Sequence, residues 1–162
     1  MTDNPLTHLN DRGEARMVDV TAKDVTTREA TARCRVTVSA EVAALLAAGE
    51  MPKGDALAVA RIAAIQATKR TPDLIPLCHP IAVHGVDVDV RLHPGDVPCV
   101  EILATVRTAD RTGVEMEALT AASVGGLTVI DMVKGRDRTA AIEEVVLLEK
   151  KGGRSGHWVR ES

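Results

Sequence analysis

Asp131 and Lys134 stand three positions apart in a stretch of helical periodicity, so they share one helix face. That spacing serves an exposed ion pair as well as a general acid/base pair in which a lysine and a carboxylate exchange protons. Glu115 and Glu117 are two apart and diverge on a helix. Glu115 suits a capping role, whereas Glu117 could accept hydrogen bonds from an amide or guanidine-like ligand edge, if it is not simply a solvated carboxylate. Cys78-His79 lies in the run Pro76-Leu-Cys-His-Pro80, where flanking prolines stiffen a loop that presents an imidazole. Such a histidine suits phosphate binding or proton transfer, or an ordinary loop hydrogen bond. No second Cys or His stands at zinc-ligand spacing, so no metal site is assigned. Lys53 precedes Gly54 at a predicted helix start, a place that favours anions. A lone glycine there is no Walker A loop. Lys69 and Arg70 form a second cationic point.

Period-two alternation through Ala30, Ala32, Cys34, Val36 and Val38 predicts a half-buried strand. Ser39 can cap a short helix, Ala40–Ala48, that Gly49 closes. Asp55 caps a second helix, Ala56–Thr68, which is apolar on most of its faces; its own sheet and another subunit should both cover it. Pro72 is expected to stop that helix, and Asp73–Pro80 to run extended. Val86, Val88, Val90 and Leu92 form one strand face, and Val100, Ile102, Ala104 and Val106 another. The His93-Pro-Gly-Asp turn between them predicts an antiparallel hairpin. A long helix follows from about Val114 to Lys134, with Thr112 and Glu115 matching a capping box and Gly125-Gly126 either weakening it or allowing close packing. Ala140–Glu149 reads as the last strand. The order is β-α-β-β-α-β, an α+β ferredoxin-like sandwich with helices on one face of an antiparallel sheet.

The chain has 162 residues, is 45% hydrophobic and 27% charged, and contains one Trp and no Phe or Tyr. It divides into a polar arm (1–28), a single domain (29–150) and a Gly-rich tail (151–162). The tail reads as a flexible terminus, with an anion-binding nest at Lys151-Gly-Gly-Arg-Ser-Gly as the alternative. A net charge of −3 and the missing aromatics argue against a nucleic-acid partner. The longest uncharged stretch, Ala118–Ile130, falls short of the ~20 residues of a membrane span. Isolated cysteines at 34, 78 and 99 fit a reducing cytoplasm.

Helix geometry constrains where these residues can meet. At 1.5 Å per residue, Lys53 and Lys69 lie about 24 Å apart, and Glu117 and Asp131 about 21 Å apart. One small substrate cannot span either pair within a chain, so a shared site must combine opposite helix ends of two chains.

Several strings resemble one family: Met17-Val-Asp-Val, Lys53-Gly-Asp, Ala60-Arg-Ile-Ala, Gln66-Ala-Thr-Lys-Arg-Thr, Asp73-Leu-Ile-Pro-Leu-Cys-His-Pro, Thr112-Gly-Val-Glu-Met-Glu-Ala-Leu-Thr-Ala-Ala-Ser and Asp131-Met-Val-Lys. Together they are similar to the cyclic pyranopterin monophosphate synthases, the molybdenum cofactor biosynthesis protein C family, over about Leu6 to Gly156. The resemblance implies a ferredoxin-like fold and a homohexamer, a trimer of dimers with intersubunit sites. It implies rearrangement of 3′,8-cyclo-7,8-dihydro-GTP, supplied by a radical SAM GTP cyclase, to cyclic pyranopterin monophosphate with loss of pyrophosphate. No cofactor is required, and Mg²⁺ would come only with the triphosphate. By motif, Asp131, Lys134 and Lys53 are expected to be catalytic, and Leu77, Cys78, His79, Met116, Glu117 and Lys69 to bind substrate. A non-catalytic nucleotide-binding module and a structural assembly protein remain the alternatives.

Overall fold

The computed structural model describes residues 8–10, 12–154 and 156–161. Its elements are β1 (Thr26–Thr37), α1 (Ala40–Ala48), α2 (Ala56–Thr68), α3 (Thr71–Leu74), β2 (Gly85–His93), β3 (Cys99–Asp110), α4 (Glu115–Val133), β4 (Ala141–Lys151) and β5 (Trp158–Val159). The strands form one sheet in the order β2-β3-β1-β4-β5, and every neighbouring pair is antiparallel. The first four strands with α2 and α4 make the expected ferredoxin-like sandwich.

The alternation in β1 and β3 decides which face of the sheet is covered. Ala32, Cys34 and Val36 on β1 and Val100, Ile102, Ala104 and Val106 on β3 are fully enclosed beneath the helices. On the opposite face, cross-strand ion pairs join Arg33 to Glu144 and Arg35 to Glu101. The core is built almost wholly from small aliphatics, and α4 lies close to the sheet as a result. A Cβ on Gly126 would stand 2.5 Å from Cys34 Sγ, and one on Gly125 would stand 3.1 Å from Ile102 Cγ2. The two glycines therefore sit inside one continuous helix of 19 residues and permit close packing. That helix is long and apolar enough by composition to cross a membrane, and its apolar side is spent on β1, β3 and α2.

The structure differs from expectation at three places. The Thr112–Glu115 capping box does not form: α4 starts after Val114 with no side-chain cap. Glu115 instead receives the Lys150 ammonium at 2.9 Å, a charged partner on β4 that outcompetes a local backbone bond. Pro72 does not end the helical path. It lies in the first turn of α3, where its missing N–H costs nothing. The Asp73–Pro80 run is therefore helical and then turned before it becomes irregular. Lastly, Trp158 and Val159 in the C-terminal segment fold back as β5, with Lys150 opposite Trp158 and Glu149 opposite Val159.

Candidate active site

The α2–α4 pair presents polar residues at both of its ends. At the first end, the start of α2 meets the end of α4. Asp55 caps α2 by accepting the Ala58 N–H at 2.9 Å, which fixes the loop that carries Lys53. Lys53 Nζ donates to the Asp131 main-chain oxygen at 2.7 Å and to its carboxylate Oδ2 at 3.0 Å. Lys134, at the C-cap of α4, holds the other carboxylate oxygen at 2.7 Å. Hydrogen bonds from Lys134 and Lys53 push the Asp131 carboxyl below its ordinary range. All three side chains are solvent-exposed, so the cluster is an open array: one anionic acceptor clasped by two proton-bearing ammonium groups.

At the opposite end lies a cleft of about 710 Å³ between α4, the α3–β2 segment and the N-terminal arm. Ile75, Leu77, Cys78 and His79 line one wall, and Thr112, Gly113, Glu115, Met116 and Glu117 another. Glu117 is only 1% exposed. Its Oε1 receives a long contact from Cys78 Sγ at 3.9 Å, and among the described residues its Oε2 has no partner. Burial raises the Glu117 carboxyl, with the nearby Glu115 charge adding to the effect. A buried carboxyl with a free oxygen at a cleft wall is poised to accept or share hydrogen bonds with a polar ligand edge. Burial, followed by the Glu117 charge, raises the Cys78 thiol, which keeps it protonated and a poor nucleophile. His79 Nε2 stands 2.6 Å from the Val18 carbonyl. A carbonyl can only accept, so this nitrogen carries the proton, and the arm is tied to the Cys-His loop.

Lys53, Asp131 and Lys134 thus come together within one chain, as do Leu77, Cys78, His79, Met116 and Glu117. Lys69 joins neither group. It caps the C-terminal end of α2, is exposed and does not line the cleft. Sequence reasoning passed over Val18 and Lys23 as site residues and reached Arg154 only through the alternative of an anion-binding nest in the tail; all three line the cleft, from the arm and the C-terminal segment. The signal available for Arg154 was its place in a Gly-Gly-Arg-Ser-Gly run, with the backbone freedom of a nest.

A model of the MoaC family matches residues 17–153, a span that includes both ends of the helix pair. This chain belongs to the MoaC family. Among its relatives, the cyclic pyranopterin monophosphate synthase of Nocardioides sp. is 56% identical over 162 residues, covering 99% of each chain. The one of Streptomyces avermitilis is 61% identical over 155 residues, covering 96% of this chain and 89% of its own. That of Roseiflexus castenholzii is 60% identical over 156 residues, covering 96% and 98%. The identity over nearly full length matches the extent of the motif strings, which run through both polar ends.

Proposed function

We propose that this chain is a cyclic pyranopterin monophosphate synthase of molybdenum cofactor biosynthesis. It converts 3′,8-cyclo-7,8-dihydro-GTP to cyclic pyranopterin monophosphate and releases pyrophosphate. The observation that carries the reading onto these residues is the convergence of Lys53 and Lys134 on the Asp131 carboxylate. Opening one ring and closing another requires protons to be removed and returned at several atoms. An anionic acceptor between two ammonium donors performs both halves of that traffic without a cofactor. The ammonium groups also offset charge that develops on phosphate oxygens.

The second group of residues binds. Glu117, buried and with one oxygen unclaimed, faces the guanidine-like edge of the base. Leu77 and Met116, both partly exposed at the cleft, supply aliphatic walls in a chain that has no Phe or Tyr. Lys69 at the end of α2 adds positive charge for the triphosphate.

The site takes its two halves from two chains. Glu117 and Asp131 lie on one unbroken helix about 21 Å apart. A partner chain whose α4 runs the other way brings its Asp131 end to the first chain's Glu117 cleft. Val59, Ile62 and Leu127 are 42%, 59% and 58% exposed on the outer side of the helix layer, an apolar surface suited to that partner. We place the assembly as a homohexamer, a trimer of dimers, in the cytoplasm, downstream of a radical SAM GTP cyclase. Mg²⁺ enters only with the triphosphate.

The test is turnover. The purified protein, given the cyclised GTP intermediate, should yield equal amounts of pyrophosphate and a pterin. Binding without either product would defeat the reading.

A further inference from the structure

Asp137 lies in the turn that leads from α4 to β4, past the end of the Lys53–Asp131–Lys134 cluster. Arg136 and Arg138 flank it in sequence and are both exposed, yet Asp137 is itself only 5% exposed. Its three side-chain hydrogen bonds come from Ser39 and Thr139, not from those arginines. Oδ2 accepts the Ser39 main-chain N–H at 2.7 Å, across 98 positions of sequence. Oδ1 accepts the Thr139 N–H at 2.8 Å and the Thr139 hydroxyl at 2.7 Å. The Thr139 hydroxyl, and then the main-chain donors of Ser39 and Thr139, lower the Asp137 carboxyl against the opposing effect of burial. The Asp137 N–H donates to the Val133 carbonyl at 2.9 Å, and the Arg136 N–H donates to the same oxygen at 2.8 Å. The turn is thereby wound onto the last residues of α4.

Ser39 opens the stretch that ends at Lys53. Its carbonyl accepts the Ala43 N–H at 2.9 Å and its hydroxyl the Val42 N–H at 3.3 Å, so α1 starts from it. Val42, Ala43 and Leu46 press α1 onto the core, and Met51 does the same for the loop beyond. The N–H of Gly49, which has φ of 70°, returns to the Leu46 carbonyl at 3.2 Å and closes the helix. The Gly54 N–H returns to the Met51 carbonyl at 2.9 Å and closes a turn around Lys53. The stretch from Ser39 to Lys53 is therefore braced along its length, and the end of α4 grips it twice. Asp137 holds its first residue and Asp131 its last. The two grips are unequal. The Lys53–Asp131 pair is exposed, and water screens it. The Asp137–Ser39 bond is a short, charge-assisted bond from a buried carboxylate to main chain. The buried grip is the one able to fix where the ammonium stands.

We propose that Asp137 is a positioning residue for the proton-transfer cluster: by holding Ser39 it sets the α1 segment that delivers Lys53 to Asp131. The inference rests on the reading of Lys53, Asp131 and Lys134 as the reacting groups. A carboxylate is needed because both of its oxygens face main-chain donors. Asparagine has the same shape but one acceptor oxygen, so its amide must face the N–H of either Ser39 or Thr139.

Competitive acetylation of the full-length protein, read by mass spectrometry, measures each lysine separately. The reaction needs a free amine, and a Lys53 Nζ bonded to two oxygens is withheld from it. Asp137→Ala should raise the Lys53 rate about threefold, the scale of one exposed charged contact. It should leave Lys150, paired with Glu115 at the other end of α4, unchanged. Asp137→Asn should act in the same direction to a smaller degree. Ser39 tests the bond from its other side. Its φ of −67° suits proline, which has no N–H to donate. Ser39→Pro should therefore act like Asp137→Ala, whereas Ser39→Ala keeps the N–H, loses only the cap and should leave Lys53 unchanged. Val106→Ala, a cavity in the core, should lower the melting temperature and also leave Lys53 unchanged. With the cyclised GTP intermediate, Asp137→Ala should lower kcat about tenfold and hold KM within about twofold. In a Lys53→Ala background the same substitution should cost no further kcat, because Asp137 acts through Lys53. If Asp137→Ala does not fold, Asp137→Asn and Ser39→Pro carry the comparison. Unchanged Lys53 labelling in the folded variants, an equal rise in Val106→Ala, or a multiplied loss in the double variant overturns the assignment. Absence of turnover by wild type defeats the proposed reaction but leaves the labelling comparison decisive for the hold on Lys53.

Discussion

Lys53 Nζ bonds both the main-chain carbonyl and the carboxylate of Asp131, at 2.7 and 3.0 Å, across 78 positions of sequence. The double contact fixes the α1–α2 loop to the last turn of α4. It also holds an ammonium against the carboxylate at a place where the orphan carbonyls of a helix end already attract cations. Lys134 completes the clasp from the other side. Substitution Asp131→Asn keeps the shape and removes the basic oxygen. Product formation should fall by about 10²–10⁴-fold, the usual worth of a general acid/base. Assembly and binding of the intermediate should change little. Wild-type turnover in that variant would remove Asp131 from the chemistry.

The two carboxyls shift in opposite directions, and pH separates them. Hydrogen bonds from Lys134 and Lys53 lower Asp131, so it keeps its charge to lower pH than a free aspartate does. Burial raises Glu117, so the native state binds its proton more tightly than the unfolded chain does. That contribution to stability is complete below the unfolded carboxyl value and is lost as pH rises through the folded one. Glu117→Gln should therefore raise the melting temperature at neutral pH, and the difference from wild type should close as pH falls toward the unfolded carboxyl range. A constant offset at all pH values would show that Glu117 does not titrate in this way.

Much of this was legible in the chain. Alternation in β1 and β3 worked because one face is fully buried and the other carries charge, so the period of two was clean. Ser39 and Asp55 were readable as caps because each has a single nearby N–H to accept from, Val42 and Ala58 respectively. The failures were failures of tertiary context. Glu115 has the spacing of a capping residue, and only the position of Lys150 on β4 takes it elsewhere. The Gly-rich segment read as a loose end because local propensity is silent about the free edge of β4, on which Trp158 and Val159 pair. Lys69 shows the same limit from the other side: its motif is strong, yet within one chain it stands outside the cleft.

Gly126 tests whether close packing, not helix flexibility, explains the glycine pair. Alanine there gains about 1 kcal/mol in helix propensity. Its Cβ, however, would lie 2.5 Å from Cys34 Sγ, with Val36 Cγ2 at 3.3 Å, and both of those side chains are fully enclosed. Overpacking of this kind costs about 1–3 kcal/mol, and β1 has nowhere to move. Gly126→Ala should lower the melting temperature by a few degrees, about 2–4 °C for each net kcal/mol in a chain of this size. Among the described residues a Cβ at Gly135 meets nothing within 4 Å, and alanine there should be nearly neutral. An equal effect at both positions would mean that packing against the sheet is not the reason.

The proposed two-chain site makes a quantitative demand. Asp131→Asn and Glu117→Gln each disable a different end of the same helix, and the unbroken helix keeps those ends about 21 Å apart. If every site joins the Asp131 end of one chain to the Glu117 cleft of its partner, each homogeneous variant has no intact site. A mixed dimer has one site carrying both substitutions and one carrying neither. Random exchange of equal amounts makes half the dimers mixed, so about a quarter of wild-type activity should return. Lys69→Ala mixed with Asp131→Asn should recover in the same way, because Lys69 lies toward the Glu117 end of the pair. Replacing Ile62 or Leu127 by Asp should abolish recovery together with dimer formation, since those residues are 59% and 58% exposed in the single chain and need a partner to cover them. Exchange is verified by mass-tagged subunits. No recovery in assemblies shown to be mixed would overturn the two-chain site.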